Sequence, residues 1–145
     1  MKTVGNTLRP RSVAGWRERG AVAVEMAIVM PLLVAMIIGI IDFSRIFNAE
    51  LQLSQAAREG VRLASLRFAP TATDITDIKA RAILAAPNPA FGAALPTSGV
   101  TIPTTCPAIP GATDIAQVQV TYQFQGIFWM NGSWLTQKAV MRCSG

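Results

Sequence analysis

The chain contains no histidine, and its 145 residues include only two cysteines. It also lacks a C-x-x-C pair, a glycine-rich phosphate loop and a G-x-S-x-G sequence, which are short motifs of redox, nucleotide-binding and hydrolase sites. Zinc sites draw mainly on cysteine and histidine, so a metal centre has few candidate ligands. Asp74, Asp77 and Asp114 fit helix caps and turns. The sequence therefore predicts a protein without catalytic residues, metal or other cofactor.

Acidic residues are too few to balance the basic ones, and the excess is local. The formal net charge is +5. Residues 1–20 hold five basic residues and one acidic residue, a net of +4, whereas residues 21–145 hold eight basic and seven acidic residues, a net of +1. A nucleic-acid interface needs basic residues spread over a contact face, so this distribution argues against DNA or RNA as a partner.

A second long hydrophobic run is also missing, and the one that exists dominates the chain. Residues 21–41 contain a single charged residue, Glu25, and extend about 31 Å as a helix. That length matches a hydrocarbon core of about 30 Å. Because the basic residues precede the run, the positive-inside rule predicts one span, with the N-terminus in the cytoplasm and the C-terminal part outside.

Four regions are predicted from the composition on either side of this run. They are a disordered cytoplasmic leader (1–20), the transmembrane part of a long helix (21–41), an amphipathic extension of that helix (42–69) and a small external domain (70–145). The helix is expected from about residue 21 to about residue 68, where the approach to a proline ends it.

The extension carries large apolar residues at helical spacing. Phe43, Phe47 and Leu51 recur every four residues, and the pattern continues through Ala57 to Val61. This spacing predicts that they form the apolar stripe of an amphipathic helix.

The external domain is predicted to contain a short helix and an antiparallel sheet of about three strands, which makes the fold class α+β. Thr73 or Asp74 is expected to cap the helix, which runs to about residue 86. A short edge strand near residues 100–104, a clearly alternating strand at 115–124 and a closing strand at 135–142 follow. Phe128, Trp129 and Trp134 are expected to cap the core of the sheet, and an exposed contact patch is the alternative.

Cys106 and Cys143 both fall in the predicted external part, where disulfides persist. A bridge between them would close a loop of about 38 residues and contribute up to about 4 kcal/mol by chain-entropy arithmetic. The sequence therefore predicts this disulfide, and two unrelated thiols are the alternative.

Glu25 lies five residues after Gly20, inside the apolar run. A small residue such as Gly20 suits a protease at the inner membrane face, and cleavage before Ala21 would create a free α-amino group. In a filament, Glu25 of one subunit could neutralise that amine on a neighbour, since a paired charge avoids most of the cost of desolvation. An uncleaved signal anchor and a secretory signal peptide are the alternatives, although bulky residues follow the run where a signal-peptide cleavage site would lie.

Four separated motifs occur in order between residues 19 and 62. They read RGAVAVEMA (19–27), PLL (31–33), GIIDFSR (39–45) and QAAREGVR (55–62). Together they resemble the N-terminal signature of TadE-like proteins, the pseudopilins of the tight-adherence (Flp-type) pilus system. The resemblance covers about residues 19–65, and the remainder matches only in general layout.

This resemblance implies processing by a prepilin peptidase, an aspartyl protease of the bacterial inner membrane. The scissile bond would be Gly20–Ala21 and the recognition carboxylate Glu25, with Met26 where the family often has an aromatic residue. The implied partners are that peptidase, other pilins and pseudopilins of the pilus machinery, and the inner membrane.

The preferred interpretation is a TadE-like pseudopilin that is cleaved after Gly20 and takes part in pilus assembly. The first alternative is an uncleaved single-span anchor that presents a small external binding domain, and another is a minor pseudopilin of a different secretion machine. The small residues of QAAREGVR admit two further hypotheses, namely packing of the helix on its own domain and contact with another subunit.

Overall fold

The structure is a computed structural model that describes residues 15–89, 92–127 and 132–143. Its elements are α1 (Gly15–Ser65), α2 (Ala72–Ala85), a short 3-10 helix (Thr97–Gly99), β1 (Val100–Thr104), β2 (Ile115–Gln123) and β3 (Trp134–Arg142). A long apolar N-terminal helix, a second short helix and a three-stranded antiparallel sheet confirm the predicted α+β fold. The chain divides into two compact units, Met1–Ile37 and Ile38–Gly145.

Helix α1 begins earlier than the sequence predicts. It starts at Gly15 instead of Ala21, so residues 15–19 are helical and the expectation of a disordered leader is wrong there. Residues 1–14 of that leader lie outside the described residues. The helix ends at Ser65, slightly before the predicted end, and it passes through Pro31 without ending. Alanine, leucine, methionine and glutamate are good helix formers, which explains this continuity better than the apolar pattern alone.

Within the unit Ile38–Gly145, α1 packs mainly through small side chains. Of the predicted apolar stripe, Ala57 and Val61 are buried, whereas Phe43, Phe47 and Leu51 are 70%, 57% and 50% exposed. The buried apolar face instead consists of four alanines and three larger residues: Ile46, Ala49, Leu53, Ala56, Ala57, Val61 and Ala64. Small side chains let the backbone of α1 approach the sheet closely, whereas phenylalanine at these contacts would hold it away.

Gly60 shows how close this approach is. A Cβ atom at position 60 would lie 3.1 Å from Val118 Cγ1 on β2 and 3.3 Å from Ala82 Cβ on α2. Both distances are shorter than ordinary van der Waals contact, so Gly60 occupies the point where α1, α2 and the sheet meet.

Helix α2 begins with a capping box. The Asp74 N–H donates to Thr71 Oγ1 (3.3 Å), and the Thr71 N–H donates to Asp74 Oδ2 (2.9 Å). The cap is therefore Thr71, and the prediction of Thr73 or Asp74 is wrong because Asp74 is the third residue of the first turn. Arg67 forms a salt bridge with Asp74. The hydrogen bonds from Thr71, with the nearby Arg67 charge, lower the pKa of the Asp74 carboxyl.

The sheet has the order β1-β2-β3, with β2 in the centre. Alternate β2 side chains, from Ala116 to Tyr122, are buried against the helices, and Phe124 continues this face beyond the strand. Trp134 pairs with Gln123, on the opposite, solvent face. It is 67% exposed, so the expectation of a core position is wrong for Trp134. Phe128 and Trp129 lie outside the described residues.

Cys106 and Cys143 form a disulfide with a Cα–Cα distance of 5.7 Å, which fits the predicted pairing. Both cysteines are also held through their backbones. The Ala69 N–H donates to the Cys106 carbonyl, and the Cys143 N–H donates to the Asp114 carbonyl, each at 2.9 Å. The bridge therefore connects the end of β3 to the segment that runs beside the end of α1.

Candidate processing and assembly site

The apolar run of α1 makes no core of its own. Every side chain from residue 20 to residue 41 is exposed except Ile38, which is half-buried. The span Gly20–Ser65 is long and apolar enough to cross a membrane, and none of its most apolar window, of mean hydropathy 2.6, is buried. So large an exposed apolar surface is uncommon in a soluble monomer, and the helix fits a membrane anchor.

The residues predicted for processing lie within this exposed run. Gly20, Ala21 and Glu25 are all exposed on α1, and Ala21 and Glu25 lie one helical turn apart on the same face. A Cβ atom at position 20 would have no described atom within 4 Å. Among the described residues, packing therefore gives no reason for glycine at position 20, unlike position 60.

A second carboxylate on α1 lies in the opposite environment. Asp42 is only 3% exposed, and its Oδ1 accepts the backbone N–H of Ile127 (3.1 Å). The same oxygen lies 3.8 Å from Arg45 Nη1, and the Arg45 guanidinium stacks over the Phe124 ring at 5.6 Å from its centroid. These contacts attach the connection after β2 to α1.

The burial of Asp42 was not predicted from the sequence. The only available signal is its position at the end of the apolar run, directly before Phe43. Burial of this carboxylate depends on a backbone N–H that lies 85 residues later in the chain, and spacing within α1 gives no sign of it.

The QAAREGVR motif separates into two faces. Ala56, Ala57 and Gly60 are buried against the chain's own sheet and α2, which supports the hypothesis of packing on its own domain. Arg58 and Glu59 between them are exposed. Contact with another subunit through this motif is therefore left to its exposed polar residues, which also include Gln55 and Arg62.

The large apolar residues that the domain leaves uncovered form a surface of their own. Ile40, Phe43, Phe47 and Leu51 are all at least half exposed and follow one another at spacings of three or four residues. We call these four residues the exposed stripe. It lies beside the buried face of α1 and does not overlap it.

Comparison with known proteins places the similarity on this same segment. No curated protein and no solved structure is significantly similar to the chain. The sequence model of a family described as TadE-like protein matches residues 20–62. The match begins at Gly20, includes Glu25, Asp42 and the exposed stripe, and ends at Arg62, the last residue of QAAREGVR. It confirms the resemblance seen in the sequence and supports membership of the chain in the TadE-like family.

Proposed function

We propose that this protein is a pseudopilin that takes part in assembly of a tight-adherence pilus and is cleaved by a prepilin peptidase between Gly20 and Ala21. The family match and the long apolar N-terminal helix support a pilin-like protein related to this pilus system. The proposal adds cleavage, an inner-membrane location with the N-terminus in the cytoplasm, and pilins and the peptidase as partners. It assigns the chain no catalysis.

The observation that carries the proposal is the contrast between Glu25 and its surroundings. Glu25 is the only charged residue from residue 20 to residue 41, and it lies in a segment with no core of its own. An ionised carboxylate in hydrocarbon is costly unless it has a partner charge or hydrogen-bond donors. Cleavage before Ala21 would provide an α-ammonium group, and a neighbouring subunit would present it to Glu25.

The exposed stripe supports contact with protein as well as with lipid. Leu51 lies ten residues beyond Ile41, which is about 15 Å along the helix axis. A headgroup layer is only about 5–8 Å thick on each side of the hydrocarbon core. If the hydrocarbon core ends near Ile41, lipid can cover Phe43 but not Leu51. A neighbouring helix can cover the whole stripe.

The test is to replace Glu25 in the native host. Glu25→Ala should abolish incorporation of the protein into sheared pili, because the α-ammonium group of a neighbour would lose its partner. Glu50→Ala, at another exposed glutamate of α1, is the matched control and should leave incorporation at the wild-type level. Wild-type processing and wild-type pili with Glu25→Ala would contradict the proposal and favour the uncleaved anchor.

A further inference from the structure

A groove lies at the end of the sheet where β2 finishes and β3 begins. It has a volume of about 480 Å³, within the range of small-molecule sites. Its lining comes from the segment between Ala93 and Gly99, from the end of β2 and the residues just after it, and from Trp134 at the start of β3. Neither the family match nor the proposed function assigns any role to this groove.

Trp134 contributes an exposed aromatic surface to the groove. It is two-thirds exposed on the solvent face of the sheet, where its cross-strand neighbour is Gln123. The next residue, Leu135, packs against the core on the opposite face, so Trp134 contributes little to that core. A large indole left exposed among polar neighbours on a rigid strand is available for a ligand.

The rest of the lining consists of uncharged hydrogen-bonding groups. Thr121 and Ser98 supply hydroxyl groups, and Gln123 and Gln125 supply amides that both donate and accept. Of the described residues that line the groove, none is charged. Such a lining offers little to bind a phosphate, a carboxylate or a cation, and it suits a ligand with many neutral hydroxyl groups.

Two features fix the wall of the groove. The Tyr122 hydroxyl donates to the Ala93 carbonyl (3.1 Å), and burial raises the pKa of this hydroxyl, so the donor stays protonated at neutral pH. A Cβ atom at Gly99 would lie 2.5 Å from the Thr121 carbonyl oxygen, so glycine allows the wall to lie directly against β2. The segment from Ala93 to Gly99 is therefore held against β2.

We propose that this groove binds a neutral saccharide, with the Trp134 indole against the apolar face of a sugar ring and Gln123, Thr121 and Ser98 hydrogen-bonded to its hydroxyl groups. A sugar ring presents C–H groups on its faces and hydroxyl groups at its edge, which matches one aromatic surface beside several amides and hydroxyls. The external domain of the proposed pseudopilin would then recognise carbohydrate as well as present a folded surface.

The test uses the full chain in lipid nanodiscs, because the headgroups of maltoside detergents would compete for the groove. Maltotetraose, cellotetraose and chitotetraose are the probes, and saturation-transfer-difference NMR detects the sugar protons that contact protein. We expect at least one probe to bind with a Kd near or below about 10 mM. Trp134→Ala should weaken that binding by about tenfold or more.

Two further variants make the result specific. Gln123→Ala should weaken binding less than Trp134→Ala, because it removes hydrogen bonds to hydroxyls that water can replace. Ile109→Ala, at a highly exposed residue outside the groove, should leave binding unchanged. The proposal is overturned if no probe binds up to about 10 mM, or if Trp134→Ala leaves binding intact. Tighter binding of a hyaluronate tetrasaccharide, with loss of that binding in salt, would also overturn it.

Discussion

Residues 20–41 and residues 42–65 belong to the same helix, yet they use their side chains in opposite ways. The first stretch is apolar apart from Glu25, and none of its residues is buried. The second has polar and apolar faces, and its apolar residues supply part of the core of the unit Ile38–Gly145. The two acids repeat the contrast, because Glu25 is exposed whereas Asp42 is buried with partners. Hydropathy therefore indicates what a segment can contact, and the fit of its side chains decides what it packs against.

The largest expected effect comes from leucines on the two stretches. Leu53 is fully buried, so Leu53→Ala should lower the free energy of unfolding of the external domain by about 2–5 kcal/mol. Leu33 is exposed in the apolar run, and Leu33→Ala should change that free energy by less than about 0.5 kcal/mol. Urea denaturation of the full chain in nanodiscs measures both. Equal losses of stability for the two variants would contradict the conclusion that residues 42–65 of α1 pack in the folded core and residues 20–41 do not.

Replacing the two carboxylates, Asp42 and Glu25, compares the same two stretches, with a smaller expected change in the free energy of unfolding. Asp42→Ala removes the acceptor of the Ile127 N–H and the partner of Arg45, so it should destabilise the external domain by about 1–3 kcal/mol. Glu25→Ala should leave that stability unchanged while it abolishes assembly. The same urea denaturation, with hydrogen exchange at Ile127 as a local measure, distinguishes them. Unchanged exchange at Ile127 in Asp42→Ala would mean that Asp42 does not hold this segment.

The smallest effect concerns the junction after α1 and depends on pH. The Asp74 carboxyl has a lowered pKa in the folded chain because it accepts hydrogen bonds from Thr71 and lies near Arg67. Folding therefore favours the ionised form, and this contribution is present above the unfolded pKa and is lost as the pH falls through the folded pKa. Thermal stability should drop below about pH 4, and Asp74→Asn should reduce that drop. An equal loss of thermal stability at low pH in the wild type and in Asp74→Asn would mean that Asp74 does not cause the acid sensitivity.

Much of the architecture follows from local pattern. The continuous apolar run predicts α1, and the alternation of polar and apolar residues from Ile115 to Phe124 predicts β2 and its buried face. The disulfide in the structure fits the pairing of Cys106 with Cys143. The helix and the strand are recognised from an apolar run and from a period of two residues, and two cysteines allow only one pairing within the chain. One sequence is therefore enough to predict these features.

The remaining features depend on contacts between distant segments. Phe43 and Phe47 are large and apolar but remain exposed, whereas α1 packs on the sheet through Ala56 and Gly60. Likewise, Trp134 was expected in the core, although its position one residue before Leu135 places it on the solvent face. A hydrophobic residue identifies a possible contact, but the fold decides which face of the helix or strand is buried.

The central claim is that α1 is processed before it acts in assembly. The most direct measurement is the N-terminal residue of the protein purified from its native membrane, by mass spectrometry of the intact chain and of its first peptide. The account predicts a chain that begins at Ala21, with Glu25 then the fifth residue. A chain that still begins at Met1 or Lys2 would contradict cleavage, and the protein would then be a membrane anchor whose function lies in its external domain.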